Sequence, residues 1–169
     1  MNSIHVAMGE MSISNDKETT LDTFVGSCIA LCLYDPYAII AGMAHIMLPK
    51  NSEGKVNRNN AGKYADQAVE TTIKTMIEQG ANIKRIRASM AGGAKIFSDE
   101  GGNGLFNIGE KNAEAVKYFL REKKIPLISF DVGMNHGRWV KFNVKSGKVT
   151  VSNTKRKEKL VHDLRNTTC

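Results

Sequence analysis

The stretch Cys28-Ile29-Ala30-Leu31-Cys32-Leu33-Tyr34, followed after Asp35-Pro36 by Ile39 to Leu48, decides the fold of this chain. Both runs are almost wholly apolar, which is typical of buried strands. Asp35-Pro36 lies between them, and proline presets a turn dihedral. The two runs therefore predict a β-hairpin built from buried strands.

The rest of the chain combines strand-like segments with two helical patterns. Apolar residues recur at spacings of three and four over 61–79 and again over 109–124. Asn107 and Glu110 resemble a capping box at the start of the second pattern. Further strand-like runs lie at 4–9, 23–25, 83–90, 126–132, 139–144 and 148–151, the last two around Ser146-Gly147.

These patterns predict one α/β domain of the α+β type over residues 1–153. We expect a β-sandwich of mixed or antiparallel sheets flanked by two main helices. Residues 154–169 are polar and basic, and we predict a mobile tail there. The densest basic patch, Lys155 to Lys159, has no interleaved aromatic residues for base stacking. A solvated terminus is therefore the favoured interpretation of this patch. A contact with an acidic protein partner ranks second, and a nucleic-acid contact ranks third.

Composition excludes several classes of protein. The 169 residues are 41% hydrophobic and 24% charged, with 24 Lys+Arg against 17 Asp+Glu and a net charge of +7. These values suit a globular domain and not a disordered or collagen-like chain. No apolar run of about 18 residues occurs, and Met1 to His5 lacks the features of a signal peptide. We therefore predict no membrane insertion and a cytoplasmic location.

The three cysteines, Cys28, Cys32 and Cys169, are too few and odd in number for a disulfide framework. Cys28 and Cys32 have no second Cys/His pair at zinc-ligand spacing. The glycine-rich segments lack a Walker A order, and Asn107 occupies the third glycine position of a dinucleotide fingerprint. The sequence therefore predicts neither a metal nor a cofactor.

A cysteine and a histidine share the predicted hairpin. Cys28 follows Gly26-Ser27 at the start of the first strand, where backbone N–H groups can lower a thiol pKa and hold an oxyanion. A hairpin centred near residues 36–37 would place Cys28 directly opposite His45, with Cβ atoms about 4.5–5.5 Å apart. Taken singly, a buried cysteine or histidine is more often a core residue. The shared register favours a nucleophile and its base, whereas Cys32, facing Ala41, is interpreted as core.

Several blocks of the sequence resemble the CheD family of chemoreceptor glutamine deamidases. They cover roughly residues 4–152. The blocks are Val25 to Pro36, Gly42 to Pro49, Met90 to Phe97, Asn107 to Asn112, Asp131 to Gly133 and Gly137-Arg138.

The resemblance implies a hydrolase that converts receptor glutamines to glutamate through a cysteine thiolate and a thioester, releasing ammonia. Cys28 matches the family nucleophile and His45 the general acid/base. The family has a threonine six positions before the cysteine, where this chain has Asp22; we predict that Asp22 orients the imidazole, with Thr23 as the alternate. Gly26 and Ser27 are candidates to line the site.

The resemblance also implies a fold similar to the cytotoxic-necrotizing-factor deamidase domain, and no cofactor or metal. The implied partners are methyl-accepting chemotaxis receptors and a CheC-type phosphatase, with no nucleic acid. A second hypothesis is a non-catalytic binding module that regulates a CheC-like phosphatase.

Overall fold

The computed structural model describes residues 1–54, 58–96, 107–153 and 159–165. Within these ranges the chain forms ten strands and two α-helices. The strands are β1 (Asn2–His5), β2 (Met11–Ser14), β3 (Thr19–Val25), β4 (Ile29–Asp35), β5 (Ile40–Ile46), β6 (Arg87–Gly92), β7 (Leu127–Val132), β8 (Arg138–Asn143), β9 (Lys148–Ser152) and β10 (Lys159–Asp163). The helices are α1 (Ala65–Glu78) and α2 (Ile108–Glu122).

The strands form two mixed five-stranded sheets. The outer sheet has the order β1-β3-β8-β9-β10, and the central sheet has the order β2-β5-β4-β6-β7. The pairs β1/β3 and β6/β7 are parallel, and the other neighbours are antiparallel. The α+β sandwich with two main helices is therefore confirmed.

The central sheet is buried on both faces, which explains why β4 and β5 are almost wholly apolar. Ile29, Leu31 and Leu33 of β4 pack into the cluster formed with the helices. Ala30 and Cys32 alternate with them and pack into the cluster formed with the outer sheet. Cys32 is thus a core residue, as predicted.

The register of the β4–β5 hairpin differs from the expected one by two residues. His45 pairs with Ala30 and not with Cys28, and Asp35 pairs with Ile40. The cause is a four-residue loop: the Asp35 carbonyl accepts the N–H of Ile39, which adopts a left-handed φ of 56°. Strand pairing therefore resumes at Ile40, one residue after Ile39. Because side chains alternate with a period of two, an even shift keeps each residue on its expected face.

The side chain of Asp35 organises this loop. Its carboxylate accepts the N–H groups of Tyr37, Ala38 and Asn82 and is held by Arg85 at 2.9 Å. Burial by itself raises the pKa of Asp35, but these hydrogen bonds outweigh it and the pKa lies below its usual value. The hairpin turn is therefore held by a charged carboxylate and not by the proline alone.

Both predicted helices are present; α1 is shorter at both ends, and α2 begins one residue earlier and ends two residues earlier than predicted. Helix α1 begins at Ala65, after the expected start, and Gly80 just beyond it has a φ of 110°, as a helix C-terminus often requires. Asn107 is the N-cap of α2, but its side chain makes no capping hydrogen bond, so the predicted capping box is wrong. Neither helix is long and apolar enough, over the part described, to cross a membrane.

The strands at the amino terminus differ from the sequence pattern: the run predicted over 4–9 forms β1 only to His5, β2 was not predicted, and β3 begins before the predicted run at 23–25. Two further differences lie later in the chain. The stretch predicted as one strand over 83–90 begins with a 3-10 turn at Ile83–Arg85, and the strand follows it as β6. Within the stretch assigned to a tail, β10 pairs with β9. Residues 154–158 and 166–169 of that tail, including most of its basic patch and Cys169, lie outside the described residues.

Candidate active site

Cys28 lies in a bend between the two sheets, at the end where β3 finishes and β4 begins. The bend is held from the side by the segment after β6, because Gly93 N–H donates to the Cys28 carbonyl and Ala94 N–H donates to the Gly26 carbonyl, both at 2.9 Å. Gly92 makes this approach possible: a Cβ there would lie 2.1 Å from the Cys28 carbonyl oxygen, and its φ is 120°. A glycine is therefore required beside the bend.

Cys28 is partly exposed and packs against the cluster between the sheets. Burial raises the pKa of its thiol, so the lowered pKa expected from the sequence is wrong in direction. Burial raises the pKa of Cys32 far more strongly, because that thiol is fully enclosed. Of these two free cysteines, Cys28 is the accessible one, and it rests as a neutral thiol at neutral pH.

His45 lies on the same inner face of the central sheet. Met43 lies two positions before His45 on β5, and Ala30 lies directly across from His45 on β4. Both of these residues pack into the cluster between the sheets. The register places Cys28 diagonally from His45, a relation that separates Cβ atoms by about 7–8 Å in regular antiparallel strands. Cys28 and His45 therefore lie on the same side of the central sheet, and they are not the directly opposed pair that was expected.

A buried threonine holds the imidazole. Thr23 Oγ1 lies 2.7 Å from His45 Nδ1 and 2.6 Å from the carbonyl oxygen of Val6. A carbonyl oxygen can only accept, so the single hydroxyl proton is donated to Val6. The hydroxyl oxygen must then accept the proton of His45 Nδ1. This chain of hydrogen bonds selects the tautomer in which Nε2 carries an unprotonated lone pair.

The surroundings of His45 keep the ring neutral. The side chain is 4% exposed. Burial lowers the pKa of His45, the contact with the Val6 backbone raises it, and the nearby His5 lowers it further, with a net shift downward. The imidazole is therefore unprotonated at neutral pH, which is the form that can accept a proton.

Asp22, predicted to orient the imidazole, lies elsewhere. Successive residues of β3 face opposite sides of the outer sheet, so Thr23 is buried between the sheets while Asp22 faces outward. The Asp22 carboxylate is 2.8 Å from His5 Nδ1 and accepts a hydrogen bond from the Ser3 hydroxyl. The residue against His45 is the alternate, Thr23.

Asn112 is a site residue that sequence reasoning did not single out. It is fully buried on α2, and its Nδ2 donates to the Ser27 carbonyl at 3.1 Å and to the Met47 carbonyl at 3.0 Å. One side chain thus ties the bend that carries Cys28 to the segment that follows His45. The available signal was an amide in the apolar stripe of the helix, one position before Ala113.

Two further observations complete the site. Gly26 and Ser27, the predicted lining residues, form the bend itself, and a Cβ on Gly26 would lie 3.3 Å from the Ile96 side chain. In the part of the chain that the structure describes, no three His, Cys, Asp or Glu side chains are grouped so that they could hold a metal ion.

The tie made by Asn112 leads to a first prediction. Replacing it in Asn112→Leu leaves the Ser27 and Met47 carbonyls buried without a donor, so we expect a loss of about 2 kcal/mol in the free energy of unfolding. We also expect faster alkylation of Cys28 by iodoacetamide at pH 8, because the bend loosens. Urea denaturation and peptide mass mapping measure the two effects. Cys32 is the internal control, and equal acceleration at both thiols would mean global loosening and contradict a local tie.

A family model and curated relatives indicate the same family for this chain. Residues 47–153 match the model of the CheD family, described as CheD chemotactic sensory transduction. This match begins after His45, so it does not itself include Thr23, Cys28 or His45. A solved structure, Bacillus licheniformis hypothetical protein YfiH, has a TM-score of 0.42 and 12% identity over 74% of this chain and 49% of that chain, a similarity too low to indicate a shared fold.

Curated relatives cover the amino-terminal half as well. The Halalkalibacterium halodurans protein named chemoreceptor glutamine deamidase CheD is 37% identical over 156 residues, which span 92% of this chain and 96% of that protein. The Thermotoga maritima protein of the same name is 39% identical over 146 residues, 86% of this chain and 88% of that protein. With relatives of this identity matched along nearly their whole length, the chain belongs to the CheD family.

Proposed function

We propose that this protein is a cysteine-dependent glutamine deamidase that converts glutamine side chains of chemotaxis receptors to glutamate. The names of its relatives support the substrate class. The single observation that carries the chemistry is the buried chain Val6–Thr23–His45, which leaves an unprotonated Nε2 on the face shared with Cys28.

The first half of the reaction forms a thioester. As the Cys28 sulfur attacks the carboxamide carbon, His45 Nε2 accepts the thiol proton, and backbone N–H groups of the 26–28 bend stabilise the oxyanion. When the tetrahedral intermediate collapses, the C–N bond breaks. The imidazolium returns the proton to the departing nitrogen, which leaves as ammonia.

The second half restores the thiol. His45 removes a proton from a water molecule as its oxygen attacks the thioester carbon, and the C–S bond then breaks. The sulfur leaves as a thiolate and takes the proton back from the imidazolium. The product is the glutamate side chain, and neither a metal nor a cofactor takes part.

The neutral resting state of both groups shapes this mechanism. The pKa of Cys28 is raised and that of His45 is lowered, so a thiol and a neutral imidazole coexist at neutral pH. The proton therefore moves during the attack itself. Thr23 assists by accepting from Nδ1, which keeps Nε2 as the basic nitrogen and stabilises the imidazolium when it forms.

A second candidate function is a non-catalytic module that binds a CheC-like phosphatase through the same surface. The observation that favours it is the raised pKa of the Cys28 thiol, since an inert buried cysteine has this property. A CheC-type partner is compatible with both functions. The cytoplasm remains the predicted compartment for either.

Mass spectrometry of a receptor fragment tests the activity. Each glutamine converted to glutamate adds about one dalton, and we expect the wild-type protein to produce this shift. Cys28→Ala should lower the rate by about 10⁴-fold or more, because the nucleophile is lost. Cys32→Ala is the matched control and should retain activity. A Cys28→Ala protein that still converts the fragment would exclude the proposed chemistry.

Paired substitutions on β3 decide which residue orients the imidazole. Thr23→Val keeps the shape of the side chain but removes the acceptor for Nδ1, and we expect kcat to fall about tenfold or more with little change in KM. Asp22→Asn should leave kcat close to that of the wild type, because Asp22 faces away. The opposite ranking of the two variants would return the role to Asp22.

The lowered pKa of His45 sets the pH dependence. Below this pKa the imidazole is protonated and Nε2 cannot accept the thiol proton, so activity falls as pH decreases through it. We expect the acid limb of kcat/KM to have its midpoint below about 6.5, the ordinary histidine value. Since His5 lowers this pKa, His5→Gln should move the midpoint upward.

The histidine control for this profile is His136→Gln. His136 is not among the groups that shift the pKa of His45, so the midpoint should stay in place. A wild-type midpoint above the ordinary histidine value would be incompatible with a base that is neutral at rest.

A further inference from the structure

We propose that three exposed side chains beside the Cys28 bend, Phe24, Met134 and Trp139, form the docking surface for an acidic segment of the receptor that carries the reactive glutamine. We call these three residues the apolar rim. The inference rests on the proposed function, because it assigns a second part to the same substrate. It concerns how the protein substrate is held, and not how the amide is cleaved.

The rim lies at the end of the sandwich that carries the candidate site. Phe24 lies on β3, two residues before Gly26 of the bend. It pairs with Trp139 on β8, and only one further residue pair of these strands, Val25 with Arg138, lies between it and the bend. The rings of Phe24 and Trp139 are in contact, with centroids 5.1 Å apart. Met134 is linked to the segment that holds the bend, since its carbonyl accepts the N–H of Lys95.

Large apolar surface is exposed at all three positions. Phe24 is 42% exposed, Trp139 is 41% exposed and Met134 is 65% exposed. Helices α1 and α2 pack against strands of the central sheet, so neither of them covers the outward face that bears the two rings. Phe24 and Trp139 thus form an exposed pair of contacting rings, and exposed aromatic pairs of this kind are typical of protein-binding surfaces.

The rim is also preformed. Gly137 supports the Phe24 ring, because a Cβ at position 137 would lie 2.5 Å from a ring carbon. The ring therefore rests directly on backbone, where any larger residue would displace it. Met134 stands between two cavities of about 340 and 390 Å³, whose concave walls could accept side chains that flank a glutamine.

The charge around the rim selects an acidic partner. Lys95 adjoins the rim through its backbone hydrogen bond to Met134, and Lys141 lies two positions beyond Trp139 on β8. The chain as a whole carries a net charge of +7. The nearby carboxylates are engaged within the protein, Asp22 with His5 and Asp131 with Arg138. A second copy of this chain would bring the same positive charge, whereas an acidic segment with apolar neighbours complements both properties.

Trp139 provides a direct test, because it is the only tryptophan in the chain. A receptor fragment without tryptophan is added to Cys28→Ala, which can bind without turnover, and emission is recorded. We expect a blue shift and weaker quenching by acrylamide as the fragment saturates. Saturable binding, measured by sedimentation, with no change in Trp139 emission would overturn the proposal. A concentration-dependent blue shift without the fragment would assign the rim to self-association instead.

Kinetics of a rim variant give the second test. Phe24→Thr keeps a residue suited to a strand but removes the ring, and we expect KM for the receptor fragment to rise about tenfold with kcat nearly unchanged. Alkylation of Cys28 by iodoacetamide, a small reagent that does not need the rim, should keep its wild-type rate. This readout also reports that the variant is folded.

Tyr37→Thr is the matched control. Tyr37 is 83% exposed and lies in the β4–β5 loop, at the opposite end of β4 from Cys28, so its loss should leave KM unchanged. An unchanged KM in Phe24→Thr, or an equal rise in both variants, would overturn the docking role. If the wild type converted no glutamine, the proposed function would fail, while the emission experiment would still decide whether the rim binds the fragment.

Discussion

The single hydroxyl proton of Thr23 is the constraint on which the candidate site depends. Because that proton can be donated only once, and a backbone carbonyl can only accept it, the hydroxyl oxygen is left to accept from His45. One buried hydrogen-bond chain thus sets the tautomer of the imidazole, its orientation and the nitrogen available to the thiol. The same burial keeps the ring neutral, which is the form that a general base requires, and no carboxylate is in contact with the ring in the hydrogen bonds described.

This arrangement depends on a sheet that is buried on both faces. The central sheet packs one face against the helices and the other against the outer sheet, so a buried polar side chain on the inner face needs a hydrogen-bond partner within the protein. His45 finds Thr23 and the Val6 carbonyl there. Asn112 acts from the helix side and joins the Cys28 bend to the segment after β5, so both layers contribute to one site.

Several features followed from local pattern alone. The two apolar runs predicted the hairpin, spacings of three and four predicted both helices, and Ser146-Gly147 predicted the β8–β9 turn, because each depends on neighbours in the chain. Two other predictions failed. The capping box at Asn107 did not form, and the hairpin register differed by two residues because the loop has four residues and closes through the Ile39 N–H on the Asp35 carbonyl. Asn82 and Arg85, from a distant segment, also bind the Asp35 side chain in that loop.

The sequence by itself determined the family, the fold class, and the presence of a cysteine and a histidine on one face of a hairpin, since a register error of two residues does not change the face. Only the tertiary structure decided between Asp22 and Thr23, because adjacent residues on a strand point to opposite sides and the sequence does not say which side meets His45. It also decided the directions of the two pKa shifts. Those directions come from burial, which is a property of the packed layers and not of the residues that line them.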